Sequence, residues 1–371
     1  MALVCIAPPL VEPVSLPELK QFCRLDPGDT SQDSTISMLG REALSDCETF
    51  TARRFVQQTW RLLMDFFPGY VDLKLAGQKV SSPFVSGSNA VLVGIRYAII
   101  LPYPPVKELV AFNYLNANGL TTSMIVGPLN IAAVQNPSGQ PVTITTTTPH
   151  TMASGAGVTF AANPDLISLI GQAFAVITVT GDNQFTLLGV NGTGTTIPAA
   201  GTVTGFNFME DLQGNPARLT PIFGQMWPVA RVVVNAVQVD YNMGYANPIT
   251  VSVGSGSRIV SSSDYDFQLT DVGREISIPG AGADGLPLNT VVTGLAGSPP
   301  DSVTVRDVSS AAATNQTALI VNTPSANPAH WSKIKRAICV HTLESYLQRM
   351  PKKNIEDTVQ RILYPVRDLR L

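Results

Sequence analysis

His341 and Glu344 stand three residues apart on a segment of helical period, a spacing at which an imidazole and a carboxylate could share a metal ion. Asp264, Asp266 and Glu275 fall at the first, third and last positions of a calcium-loop spacing. Neither develops into a site. Two ligands lack the third that a metal needs, and Leu269 stands where a calcium loop turns on glycine. Core or surface residues are the plainer account of both. His150 lies in a Thr-rich turn and His330 beside Trp331 at a helix start, so the histidines are scattered and indicate no Ser–His–Asp arrangement. There is no Gly-Lys-Ser/Thr phosphate loop, and Pro279-Gly280-Ala281-Gly282-Ala283 is turn chemistry. A polysaccharide hydrolase would need paired carboxylates, which here are dispersed among unlike segments. The sequence therefore predicts no catalytic residue, no cofactor and no metal.

Charge is distributed unevenly instead. Residues 325–371 carry nine Lys/Arg against four acids, whereas 131–215 hold no Lys or Arg at all. Within the basic stretch, Arg349, Lys352 and Lys353 could face DNA phosphates or an acidic partner; a solvated helix end is the plain alternative. Tyr364, Leu369 and Leu371 beside Arg361, Arg367 and Arg370 read as an arm that offers apolar anchors and carboxylate-seeking arginines. Its alternative is a terminal helix packed on its own domain.

Composition bounds the rest. The 371 residues suggest two or three domains. Charged residues make up 14%, against roughly 25% in ordinary soluble domains, which suggests surfaces covered by partner subunits or β-domains whose faces are Thr/Ser-rich. A net charge of −3 argues against binding nucleic acid by overall attraction. Cys5, Cys23, Cys47 and Cys339 fit no zinc or disulfide pattern, so reduced thiols and assembly in a reducing cytoplasm are expected. Met1–Pro9 lacks a basic start and is broken by Pro8-Pro9, so no signal peptide is expected; nor is any membrane span.

The elements that must position these residues are of two kinds. Ser15-Leu16-Pro17-Glu18 starts a short helix running to about Leu25, and a second helix over about 31–54 places Ile36, Leu39, Ala43, Cys47 and Phe50 on one face. Arg41, Glu42, Ser45, Glu48 and Thr49 take the opposite face. Helical period returns over 331–350 and again from Asn354, ending at Pro365. Alternation predicts strands at 59–66, 71–76, 91–101, 106–115 and 229–241. Two Gly/Thr/Val-rich blocks interrupt this scheme, each with short strands separated by turn residues, the second open to the alternative of a long extended β-arm. The expected fold is α+β: a helical core with a small antiparallel sheet, interrupted by two all-β insertions, barrel or sandwich-like. Core segments are 1–130, 207–248 and 325–371, and the insertions are 131–206 and 249–324.

With the insertions set aside, the chain resembles the head–tail connector (head-completion adaptor) family of tailed bacteriophages. The likeness rests on Pro13–Lys20, Thr51-Ala52-Arg53, Gln58-Thr59-Trp60, Leu101–Val106, Met226-Trp227-Pro228, Val239–Tyr245 and Arg361–Arg367, in that order. The resemblance implies a non-enzymatic virion subunit at the portal vertex. Copies would form a ring, dodecameric in expectation, that extends the channel for double-stranded DNA without reading its sequence. It further implies portal protein and a tail or tail-completion protein as partners, with Arg361, Tyr364, Arg367, Leu369, Arg370 and Leu371 gripping the portal. The insertions would face outward towards capsid or fibres. The rival expectation is a tail-fibre or baseplate adhesin whose β-modules bind a host glycan.

Overall fold

Period-two alternation outweighs helical period once the chain has folded. The computed structural model describes residues 1–68, 98–171, 174–212, 214, 216–296, 301–321, 329–348, 359, 362 and 363. In chain order come β1 (Ala2–Ala7), α1 (Leu16–Phe22), α2 (Asp33–Thr51), β2 (Gln58–Met64), β3 (Ile99–Leu101), β4 (Val106–Leu115) and β5 (Thr121–Ser123). The next are β6 (Ile125–Gln135), β7 (Pro141–Thr146), β8 (Gly157–Ala161), α3 (Pro164–Ile170), β9 (Phe174–Gly181), β10 (Gln184–Asn191) and β11 (Thr202–Phe206). Then follow β12 (Met209–Asp211), β13 (Ala217–Thr220), β14 (Val237–Met243), β15 (Ala246–Val253), β16 (Ile259–Ser262) and β17 (Glu275–Ile278). The last are β18 (Leu288–Leu295), β19 (Ser302–Val305), β20 (Ala313–Val321) and α4 (Ala329–Gln348).

The chain divides into two units. The first holds Met1–Val4, Trp60–Pro102 and Glu108–Tyr241; the second holds Cys5–Thr59, Tyr103–Lys107 and Asn242–Leu371. One sheet has five strands in the order β1-β2-β14-β4-β5. On β2, Leu62 and Met64 are buried, as alternation predicts, while Arg61 grips Asp240 of β14 through two bonds of 2.7 and 2.8 Å. The Met1–Pro9 run, for which the sequence suggested no element, supplies the sheet's edge strand β1, with Val4 and Ile6 exposed.

In the first unit, β10-β7-β6-β11-β8-β9 close into a barrel. Alternate residues point inward, so Val142 and Ile144 meet Phe185, Leu187, Val158 and Val203 in a filled interior. Helix α3 contributes Leu166 to that core. Asn163 caps it by accepting from the Leu166 N–H at 3.1 Å while its amide donates to the Pro198 and Ala200 carbonyls. Gly127 lets β6 bend: its φ is 113°, and a Cβ there would sit 2.7 Å from the Val203 carbonyl oxygen.

In the second unit, β15-β16-β19-β18-β17-β20 close a second barrel around Val251, Phe267, Ile276, Ile278, Val303 and Ile320. Ala318-Leu319-Ile320-Val321 is apolar without alternation because both faces of β20 are covered. Ala318 and Ile320 face the barrel interior, while Leu319 and Val321 join the cluster built by Leu19, Ile36, Ala43, Trp331, Ile334 and Ile338 of α1, α2 and α4. Val359 and Leu363 are buried in the same cluster. Lys20, though charged, is buried at the α1–α2 turn, where its ammonium donates to the Pro27 and Asp29 carbonyls and pairs with Asp33 at 2.8 Å.

The expected α+β fold with a helical adaptor core is overturned. Strands take 41% of the structure and helices 19%. The reason is that the two Gly/Thr blocks supply twelve strands in closed barrels, and the long helices share their core with β20 instead of enclosing one of their own. The expected strand at 229–241 also shortens to Val237–Met243, because Asn235 adopts a positive φ of 59° that breaks the extended backbone. The expected strand at 71–76 lies outside the described residues. No described helix is long and apolar enough to cross a membrane.

Candidate interaction surface

Shortening that strand leaves its first half without a ladder. Between Phe223 and Val234 the chain presents Phe223, Met226, Val229, Val232 and Val234, each more than half exposed, Phe223 at 94%. Single exposed apolar side chains are ordinary; five within twelve residues are an unusual concentration of them.

The segment is held firmly from beneath. Trp227 is buried and stacks on Phe67 with centroids 5.1 Å apart and planes 10° apart, and it meets Phe112 edge-on at 5.8 Å. Phe112 in turn packs edge-on against Phe208 at 5.1 Å. Backbone bonds pin the far end: the Arg231 N–H donates to the Leu115 carbonyl at 2.8 Å, and the Asn235 N–H to the Asp65 carboxylate at 2.9 Å. These bonds occupy backbone groups while leaving valine side chains in solvent. A rigid apolar surface of this kind loses little conformational entropy on association.

No family model and no curated protein matches the chain. Two solved structures align with it along its length, one titled as the neck of an empty GTA particle computed with C6 symmetry and the other as the virion of a native gene transfer agent (GTA) particle. Each is 11% identical, with a TM-score of 0.41, and each alignment covers 100% of this chain and 97% of the other.

Of the residues singled out from sequence, Arg349, Lys352, Lys353, Arg361, Tyr364, Arg367, Leu369, Arg370 and Leu371 lie outside the described residues. His341 is buried, with Nε2 3.0 Å from the Asp46 carboxylate. Among the described residues no group of three His, Cys, Asp or Glu side chains could hold a metal ion. Asp264 is occupied locally, accepting from the Thr250 N–H at 2.8 Å and the Ser262 hydroxyl at 3.1 Å. Burial alone would raise its pKa, but these hydrogen bonds outweigh it and hold the carboxyl below its ordinary value. Glu275 shifts the other way because burial disfavours its charge. His150 packs edge-on against Phe185 at the barrel. All four cysteines are free, and burial pushes the Cys339 thiol up to about 12.

Sequence reasoning placed Glu48 on the solvent face of α2, and the structure buries it. Its carboxylate accepts from the Phe55 N–H and the Arg54 guanidinium, each at 2.9 Å, which ties the helix end to the segment entering β2. The arginine that could have signalled this, Arg54, lies only six residues on and stacks over the Tyr103 ring at 4.5 Å. Burial raises the Glu48 pKa, outweighing the hydrogen bonds and the Arg54 charge that lower it. A carboxyl raised on folding contributes full stability below its unfolded value of 4.5, and that contribution is lost as pH rises through the folded value. The stability of the protein relative to Glu48→Gln is therefore expected to fall over that window and then level off. Urea denaturation of both proteins from about pH 4 to about pH 8 checks the sign.

Proposed function

We propose that the protein is a non-enzymatic structural subunit of a phage-type virion neck, a head–tail adaptor whose copies assemble as a ring beneath the portal and offer the tail a platform. The observation that carries this reading is the anchored apolar surface from Phe223 to Val234. Left in water, such a surface is an aggregation hazard; covered by another subunit, it drives specific association. The order of sequence features shared with the connector family supports the same reading.

The test is a triple variant, Phe223→Ser, Val232→Ser and Val234→Ser, compared with the unaltered chain alone and mixed with the portal protein. All three side chains are exposed, so the folded monomer should keep its urea midpoint. Association measured by sedimentation should weaken at least about tenfold, from the apolar area no longer covered. Assembly at the original concentration by a stably folded triple variant would remove the basis of the proposal.

A further inference from the structure

The apolar stretch from Phe223 to Val234 carries one charged residue, Arg231, between the exposed Val229 and Val232. Its backbone N–H is fixed to the Leu115 carbonyl, as described above. Its exposed side chain passes over the turn at Gly119, where a Cβ would sit 2.5 Å from the arginine Nη1. Among the described residues Arg231 joins no ion pair. A guanidinium is a rigid fork of N–H donors that fits a carboxylate. The complement of this stretch is therefore both apolar and acidic.

The same chain carries such a complement in its second unit. Between β16 and β17, residues 263–273 hold three aspartates and no Lys or Arg. Leu269 in that turn is 78% exposed and Val272 40%. The turn is fixed from within: the Asp271 carboxylate accepts from the Gln268 N–H at 2.8 Å and pairs with Arg274, and the Asp271 N–H donates to the Gln268 carbonyl at 2.9 Å. Asp264 is engaged by Thr250 and Ser262. Asp266 is exposed and, among the described residues, joins no ion pair.

We propose that Asp266, Leu269 and Val272 of one copy dock on the Phe223–Val234 stretch of the next, with Asp266 on Arg231. The proposal rests on the reading of that stretch as an association surface, and it names the occupant as a second copy. Opposite charge argues for this partner. So does symmetry: a patch that pairs with itself stops at a dimer, whereas a ring needs two different complementary patches on every copy.

The experiment uses Arg231→Glu and Asp266→Lys as separate full-length chains, with sedimentation of each alone, of an equal mixture and of the double variant. Each single variant sets like charges against each other, so association should weaken at least about tenfold. Both side chains are exposed, so urea midpoints should stay at the parent's value. Mixing should restore association, because copies that alternate meet with opposite charges at every contact, and the double variant should recover likewise. Restoration in the double variant but not in the mixture would place the pair within one copy and overturn the proposal. Single variants that associate like the parent, weakened ones that neither mixing nor doubling restores, or a parent that stays monomeric would overturn it too. Silent charge variants beside a dissociated Phe223→Ser, Val232→Ser, Val234→Ser chain would sink this contact and keep the association surface; assembly of that triple variant would sink the surface itself.

Discussion

Asp271→Ala is expected to destabilise the protein by about 3–5 kcal/mol, because it strands a buried cation. Asp271 is 1% exposed, in a tight turn between β16 and β17. Its carboxylate accepts from the Gln268 N–H at 2.8 Å and the Tyr265 hydroxyl at 3.1 Å, and it pairs with Arg274 at 2.9 Å. Arg274 is itself largely buried, and among the described residues its Nε has no hydrogen-bond partner, so losing the carboxylate removes the charge it pairs with. Tyr265 transmits the loss to the second barrel, since its ring packs edge-on against the buried Phe267 at 5.2 Å. Asp271→Asn keeps an acceptor but not the charge, and should lose less.

The same cluster makes a second readout available. Burial, then the negative charge of Asp271, push the Tyr265 phenol up to about 12 from an ordinary 10.0. The unfolded tyrosine ionises first, so stability should fall as pH climbs from 10.0 towards about 12. In Asp271→Asn, an ultraviolet titration should show this phenol ionising at lower pH than in the parent. Urea unfolding near neutral pH measures the main effect; an Asp271→Ala loss below about 1 kcal/mol would mean that Arg274 finds water instead.

Trp227→Ala is expected to lower stability by a similar amount, about 3–5 kcal/mol. The indole is buried between Phe67 and Phe112, and truncation opens a cavity beneath the segment it anchors. Trp227→Phe should lose substantially less, because a six-membered ring can keep the stacked contact with Phe67. The two variants separate packing from surface chemistry, since neither alters an exposed side chain. If the apolar surface works as proposed, Trp227→Ala should also weaken association, by loosening the loop that carries Phe223 and Val229. Equal urea midpoints for Trp227→Ala and the parent would show that the aromatic cluster does not hold that loop.

Local pattern was a dependable guide to single elements. Ile36, Leu39, Ala43 and Cys47 recur at steps of three and four, and all four are buried on α2. Ser15 and Glu18 start α1 as their types suggest, and 106–115 is a strand over the span that alternation marks. The failures also have local causes. Valines from 229 onward carry strong β character, yet Asn235 adopts a left-handed conformation that strand propensity does not anticipate. Ala318–Val321 is buried on both faces, and nothing in those four residues says that helices cover the outer one. Leu347 sits on an apolar stripe of α4 and is nonetheless 70% exposed.

Sequence alone determined the apolar face of α2, the span of β4 and the capped start of α1, and that acid–base chemistry is sparse through the Gly/Thr-rich blocks. Those properties depend on side chains within a few residues of one another, and their periods can be read directly. Only the tertiary structure decided that Ile125 would pair with Phe206 and Ala246 with Val321, the long-range ladders that help close the two barrels. It also decided that Glu48 and Lys20 would be buried, and that Phe223–Val234 would stay in water. Strand partnership and burial are settled by which distant segment arrives opposite, because a β-ladder satisfies backbone groups that every residue carries alike.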